Sequence, residues 1–219
     1  MIRSCFTLAV CLAVSTAALV GQPAARASHA IVTELKAANE ARRDVMPARD
    51  AGADPQFRAT DGAKALPILR KITLILGELA PLQAPADQQA TIHRQYQYWG
   101  VMTALGDKDA AQSLQSAAVN PDPDLAAAAK SWLTLGQWWA NSTDAAAQSK
   151  ILDNFITVAH ANPASDDIAS TLLVMVNSGA ANDDLRAKAL DTIKTCLTGP
   201  VAKNALDALA ALQCQQQIE

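Results

Sequence analysis

The stretch that decides the fold is KSWLTLGQWWANSTDAAAQSKILDNFITVAHANP, residues 130–163. Its first half places Trp132, Leu135 and Trp139 at positions i, i+3 and i+7, which share one face of an α-helix. Gly136 lies beside this face and would let a second helix approach closely, because glycine has no Cβ. The pattern predicts a helix that buries an aromatic face against a second, antiparallel helix supplied by the later half of the stretch.

The second half of the stretch carries Phe155 and, eight residues later, Pro163. We expect Phe155 to fill the space between neighbouring helix pairs and Pro163 to end its helix. The whole order of residues resembles the signature of the tetratricopeptide repeat, if the turn around Ser142 holds three extra residues. The residues that carry the resemblance are Trp132, Leu135, Gly136, Trp139, Phe155 and Pro163.

The resemblance implies repetition, and the chain shows a degenerate period. Pro123, Pro163 and Pro200 follow one another at intervals of 40 and 37 residues. The signature positions hold Leu172, Val176 and Pro200 one period on, and Tyr96, Gly100, Leu114, Ala117 and Pro121 one period back. Stacked antiparallel helix pairs in a short tetratricopeptide-like solenoid are one prediction, and an irregular helical bundle with the tryptophans in its core is the other.

Composition extends the helical prediction to the whole chain. Glycine occurs only nine times in 219 residues, and apolar residues do not alternate with polar ones as they do in strands. The fold class is therefore all-α. With Asp107, Ser142 and Asn182 as caps, the expected helices cover 30–46, a stripe from Asp61 or Leu66 to Leu79, 86–105, 108–118, 124–139, 143–161, 166–177, 183–197 and 200–215.

Three regions follow from this division of the chain. Residues 1–27 are predicted as a signal peptide, and residues 28–60 as an N-terminal helix followed by a loop or mobile linker. Residues 61–219 are predicted as a helical-repeat domain, which is long enough to bury a sizeable core.

The predicted signal peptide has the three parts that secretion requires. Arg3 supplies the positive start, an apolar run follows over 6–20, and Ala25-Arg26-Ala27 fits the small-x-small rule for cleavage. We expect cleavage near Ala27, with Ala30 as the second choice, and a protein exported to the periplasm or the exterior. Cleavage as a lipoprotein at Cys11 and an uncleaved anchor are the alternatives.

Charge and hydropathy narrow the class of partner. The chain has a net charge of −3, and removal of Arg3 and Arg26 with the signal peptide would make it more acidic. Such a chain has no electrostatic footprint for nucleic acid. No later apolar run reaches the roughly 20 residues of a membrane span, so none is predicted after cleavage.

The tetratricopeptide resemblance implies a binding surface and no reaction. The first helix of each pair in such an array lines a concave groove, where an extended protein segment or peptide can lie. In this frame the groove residues are Arg94, Tyr98, Lys130, Leu133, Gln137, Ser170 and Asn177. Trp138 falls off the face shared by Trp132 and Trp139, and is predicted either as an exposed contact for a partner or as packed on the preceding helix.

The side chains that could carry chemistry have simpler explanations. His93 and His160 are not at metal-ligand spacing, and His29 lies at the expected cleavage point. The acidic pairs at 166–167 and 183–184 fall in first turns of helices, where carboxylates meet the helix dipole favourably. No nucleophile elbow, phosphate loop or dinucleotide fingerprint is present. We therefore predict no catalytic residue, metal or cofactor.

The two cysteines of the C-terminal region test the predicted geometry. Cys196 comes just before the turn at Gly199, whereas Cys214 lies near the far end of the last predicted helix. A separation of about 15 Å along a straight helix exceeds the roughly 7 Å between Cα atoms that a disulfide allows. Cys196 and Cys214 are therefore predicted not to be bonded to each other.

Two other functions stay open at this point. The chain could be an accessory helical module of an envelope thioredoxin-like or hydrolytic system, although it has no C-x-x-C of its own. It could also be a small-molecule-binding bundle with Tyr98, Trp99 and Trp138 around a pocket.

Overall fold

The computed structural model describes residues 28–46, 51–177 and 181–216, and the predicted signal peptide lies outside them. Helices joined by short turns make up these residues, and no strand occurs within them. The all-α prediction is therefore confirmed. The helices are α1 (Ser28–Val45), α2 (Pro55–Thr60), α3 (Gly62–Leu79), α4 (Pro85–Ala104), α5 (Lys108–Ala117), α6 (Pro123–Ala140), α7 (Ala145–Ala161), α8 (Asp166–Asn177), α9 (Asp183–Cys196) and α10 (Pro200–Gln216), with single 3-10 turns at Ala51–Ala53 and Ala80–Leu82.

Local chemistry explains most of the helix boundaries. The Asp107 carboxylate accepts hydrogen bonds from the N–H groups of Asp109 and Ala110, and so caps α5. Gly106 just before it has a φ of +85°, a left-handed conformation that favours glycine after a helix. The side chain of Asn182 caps α9 by accepting from the N–H of Leu185. These caps are the ones that the sequence predicts.

Two sequence predictions about local structure are wrong. Within the segment 48–60, predicted as a loop, residues 51–53 and 55–60 are helical, and Asp54 caps α2 by accepting from the Gln56 N–H. Ser142 does not cap α7; that cap is Asp144, which accepts from the N–H of Ala147. Instead, the Ser142 hydroxyl accepts a hydrogen bond of 2.6 Å from the guanidinium of Arg58 in α2. Arg58 and Ser142 are 84 positions apart in the chain, so local propensity could not predict the hydrogen bond between them.

The helices pack in a regular order along the chain. α4 contacts α5 and α6, α6 contacts α7 and α8, and α8 contacts α9 and α10. α7 also packs on α9, and α1 and α3 cover the start of the array by packing on each other and on α4. As a result, α6 has neighbours on four sides, namely α4, α5, α7 and α8.

Most buried apolar side chains form one cluster. It includes Ile31 and Leu35 from α1 and Phe57 from α2, together with the main apolar residues of α3, α4 and α6 to α9. A smaller cluster joins α4, α5 and α6 around Tyr96, Leu114, Leu125, Ala128 and Ala129. The described residues of the segment 28–60 (28–46 and 51–60) therefore share a hydrophobic core with the helices that follow them.

Candidate functional site

The predicted groove residues are divided between two pockets. Arg94 and Tyr98 line a pocket between α1 and α4, which we call the basic pocket. Lys130, Leu133 and Gln137 line another between α6 and α7, which we call the α6–α7 pocket. The remaining two, Ser170 and Asn177, are exposed on α8 and line neither of these pockets.

The basic pocket gathers positive charge in a protein that is acidic overall. It has a volume of about 280 Å³. From α1 it receives Lys36, Asn39, Glu40, Arg42 and Arg43, and from α4 it receives Arg94 and Tyr98. Four cationic side chains therefore face one carboxylate, whereas the whole chain has a net charge of −3.

Arg42 is the unusual member of this pocket. It is only 6% exposed, although arginine is almost never fully buried unless it is paired. One of its Nη atoms donates a 2.8 Å hydrogen bond to the carbonyl of Met46. Its Nε is buried and has no hydrogen-bond partner among the residues that the structure describes. A donor left in this state is costly, because it has lost water without gaining an acceptor.

The opposite wall of the basic pocket is fixed by hydrogen bonds. The Tyr98 hydroxyl donates to Oδ1 of Asn39 at 3.3 Å, and Nδ2 of Asn39 donates to the carbonyl of Leu35 at 2.9 Å. Tyr98 itself is 5% exposed. The wall therefore holds α1 against α4 and presents a rigid aromatic side chain beside the cations.

The other cations of the basic pocket are free to bind a negatively charged group. Lys36, Arg43 and Arg94 are exposed. Among the residues that the structure describes, none of the three has an ion-pair partner within 4.0 Å. They can therefore turn their donors toward an acceptor that enters the pocket.

The sequence predicts Arg94 and Tyr98 as binding residues but does not predict the lining residues of α1. The pattern that could have revealed them is an arginine within an apolar stripe. Ile31, Leu35, Ala38 and Arg42 recur at intervals of four and three residues, and all four are buried. An arginine at a core-facing position of an amphipathic helix indicates a buried charge that needs a partner.

The α6–α7 pocket is smaller and more apolar. It has a volume of about 190 Å³. Its apolar lining comes from Leu133, Ile151, Phe155 and Val158, and its polar lining from Lys130, Thr134, Gln137 and Asn154. The pocket thus combines an apolar base with amide groups that can pair with a peptide backbone and one cation that can pair with an acid.

Trp138 is not the exposed contact that one reading of the sequence suggests. It is 1% exposed and belongs to the main core cluster. The reason is the position of α6, which is surrounded by four other helices, so a residue off its aromatic face is buried as well. The basic pocket includes Tyr98, and neither it nor the α6–α7 pocket includes Trp99 or Trp138.

Five of the six signature residues of the predicted repeat pack in or against the core, whereas Pro163 is exposed in the turn after α7. Leu135, Trp139 and Phe155 are at most 5% exposed, and Trp132 is half-buried against both core clusters. The rings of Trp132 and Trp139 lie 6.4 Å apart at a tilt of 58°. A Cβ on Gly136 would meet α4 and not the following helix α7, so the close approach that the sequence predicts occurs at a different helix.

A thiol and an imidazole meet at the ends of α7 and α9. Sγ of Cys196 lies 3.5 Å from Nε2 of His160 and 3.3 Å from the hydroxyl oxygen of Thr195. Cys196 is a free, half-buried cysteine, while the side chain of Cys214 lies outside what the structure describes. The contact pairs residues 36 positions apart, close to the repeat interval of the sequence. Periodicity could therefore have found it.

One carboxyl group has a pKa above its usual value. Burial raises the pKa of Asp167, in the first turn of α8, and the negative charges of Asp124 and Asp166 raise it further. His93 of α4 acts in the opposite direction. In the described part of the chain, no three His, Cys, Asp or Glu side chains are grouped closely enough to hold a metal ion.

The described helices include none that is both long and apolar enough to cross a membrane. A comparison with protein-family models gives no match, and comparisons with curated proteins and with solved structures give none either.

Proposed function

We propose that the protein is an exported, non-catalytic helical-repeat protein that binds a segment of another protein or a peptide. The α6–α7 pocket carries this proposal, because it unites Lys130, Leu133 and Gln137 of the predicted groove with the apolar side chains of α7. The order of helix contacts, in which alternate helices touch, supports an arrangement of stacked pairs.

The chemistry of the α6–α7 pocket defines the kind of segment that would bind. At about 190 Å³ the pocket is below the roughly 300 Å³ at which sites for drug-sized ligands begin. It suits one large apolar side chain, inserted between Leu133 and Phe155. Gln137 and Asn154 would pair with the backbone of the segment, and Lys130 with an acidic residue beside the anchor.

A randomised peptide library displayed on phage tests this proposal. Peptides selected by the protein should carry a large aliphatic or aromatic residue next to an acidic one. Lys130→Ala should abolish the acidic preference and keep the apolar anchor, whereas Leu133→Asp should abolish selection. Leu74→Asp is the matched control, because Leu74 is 70% exposed on α3 and lines neither pocket. Selection that survives Leu133→Asp would refute the proposal.

The contact between Cys196 and His160 supports a second candidate function, as an accessory module of an envelope thioredoxin-like system. A free thiol beside an imidazole is a plausible partner for an oxidised cysteine of another protein. Thiol trapping after acid quenching tests it: mixed disulfides at Cys196 support it, and a fully reduced Cys196 without adducts excludes it.

A further inference from the structure

The basic pocket has a feature that peptide binding at the α6–α7 pocket does not explain. Arg42 is held at a core-facing position of α1, 6% exposed, with an Nε that has no acceptor in the described part of the chain. A buried charged side chain normally has a partner, and within the described residues Arg42 has only the carbonyl of Met46. Arg42 therefore lines the pocket as a buried cation whose charge no carboxylate of the described residues neutralises.

Three exposed cations share the basic pocket with Arg42. Lys36 and Arg43 of α1 and Arg94 of α4 line the same pocket, and none of them is ion-paired within the described ranges. Like charges repel one another when they share a site. Their gathering in an acidic chain is therefore unfavourable unless a negative group enters, and Glu40 offsets only one of the four charges.

We propose that the basic pocket is a binding site for an oxyanion, namely a carboxylate or phosphate group. Arg42 supplies a buried guanidinium, and Arg94 supplies an exposed guanidinium from the opposite helix. Guanidinium groups suit this task because their planar, forked N–H groups match the oxygens of carboxylates and phosphates.

The rest of the pocket sets the size and orientation of the ligand. Its volume of about 280 Å³ fits a small acid or the end of a side chain, and lies just below the range for larger ligands. The hydroxyl of Tyr98 already donates to Asn39, so the ring contributes an apolar wall and not a further donor.

The oxyanion has two possible sources, a free small acid and an acidic group of a polypeptide. Both sources present the same negatively charged oxygens to the pocket. The inference does not rest on the proposed peptide site, because the basic pocket and the α6–α7 pocket have no residue in common. Loss of one function can therefore be measured in the presence of the other.

Isothermal titration of the full chain at low ionic strength tests the site with three probes: inorganic phosphate, succinate, and a peptide that ends in two glutamates. We expect saturable binding of at least one of them. Binding of phosphate or succinate identifies a free acid as sufficient, whereas binding of the peptide alone assigns the oxyanion to a polypeptide. Absence of saturable binding of all three overturns the proposal.

Variants localise the binding. Arg94→Ala removes an exposed side chain and should raise the dissociation constant of the bound probe by about tenfold or more, as expected for the loss of a charge-assisted hydrogen bond. Arg42→Met keeps an apolar side chain in the buried stripe of α1 and should abolish binding of the probe. If Arg42→Met does not fold, Arg94→Ala still tests the site. Lys203→Ala is the matched loss of an exposed cation on α10. Equal weakening by Lys203→Ala and Arg94→Ala would show a general charge effect and refute the site.

Discussion

Gly100 and Gly136 face each other where α4 crosses α6. A Cβ on Gly136 would lie 2.6 Å from the carbonyl oxygen of Gly100 and 2.7 Å from Cβ of Thr103. A Cβ on Gly100 would in turn lie 2.9 Å from the ring of Trp132. The crossing therefore depends on two residues without side chains, and it fixes the position of the helix that supplies one wall of the α6–α7 pocket.

Gly136→Ala should destabilise the protein. The added methyl group meets backbone and a branched side chain of α4, neither of which can move without moving the helix. Overpacking of this kind costs about 1–3 kcal/mol, more than the gain in helix propensity. Chemical denaturation followed by far-ultraviolet circular dichroism measures the change.

Gly77→Ala is the matched control and should have the opposite effect. Gly77 is an exposed glycine inside α3, and its added Cβ would meet only the terminal amide of Gln95 at 3.0 Å. That amide donates a 2.8 Å hydrogen bond to the carbonyl of Thr73, but it ends a flexible side chain and needs to move by only a few tenths of an ångström. The gain in helix propensity, about 0.5–1 kcal/mol, should therefore exceed the strain. Equal effects of the two substitutions would contradict the tight crossing of α4 and α6.

Asp107→Ala should be the most destabilising change at a helix cap. The Asp107 side chain is 1% exposed, accepts from two N–H groups of α5, and pairs with Arg70 of α3 at 2.8 Å. Its removal leaves buried donors without an acceptor, at a cost of about 2 kcal/mol. The control is Asp122→Ala, which removes the exposed cap of α6 and should cost less. Thermal unfolding of both variants gives the comparison.

The contribution of Asp107 also predicts a pH dependence. Burial alone would raise the pKa of this carboxyl, but hydrogen bonds from Ala110, Arg70 and Asp109 outweigh burial and hold the pKa below its ordinary 3.8. The ionised form is therefore favoured in the folded protein. Its stabilisation is present above pH 3.8 and is lost as the pH falls through the lowered pKa. The difference in melting temperature between the protein and Asp107→Ala should shrink over that range.

Asp167 should behave in the opposite way. Because its pKa is raised in the folded protein, the ionised carboxylate opposes folding at neutral pH. Asp167→Asn should raise the melting temperature at pH 7, and the gain should disappear as the pH falls through the raised pKa toward 3.8. Asp184→Asn is the control: Asp184 is an exposed acid in the first turn of α9, so its loss should slightly lower stability. A melting temperature that falls for both variants would contradict the prediction.

The sequence predicts the helices well but their partners less well. Caps such as Asp107 and Asn182 act within a few residues, so local patterns reveal them. Burial of Trp138 depends on how many helices surround α6, and this is a property of packing that no local window contains. The sequence predicts only part of the lining of the basic pocket. Arg94 and Tyr98 are predicted from the resemblance to tetratricopeptide repeats, but the lining residues of α1 belong to a segment that is predicted to lie outside the repeats.

The alkylation rate of Cys196 should depend on His160. Nε2 of His160 lies 3.5 Å from Sγ of Cys196, so the imidazole can act as a general base that accepts the thiol proton as the sulfur attacks the reagent. His160→Ala should therefore slow the reaction with iodoacetamide at pH 7, measured by mass spectrometry of the peptide that contains Cys196. Thr195→Ala is the control, because the Thr195 hydroxyl donates to the carbonyl of Asp191 and cannot act as a base. A rate unaffected by His160→Ala would show that the contact is only structural.

Cys196 and Cys214 should stay unlinked when the protein is purified without reductant. α10 is a single unbroken helix from Pro200 to Gln216, and Cys196 is free at the end of α9. In an antiparallel pair Cys196 would face a residue near 203 of α10, and position 214 lies about ten residues further along, or about 15 Å at 1.5 Å per residue. This separation exceeds the roughly 7 Å between Cα atoms that a disulfide allows. Peptide mapping without reductant should therefore find no linked pair. A linked pair would require α10 to break or fold back, and would contradict both the prediction and the straight final helix.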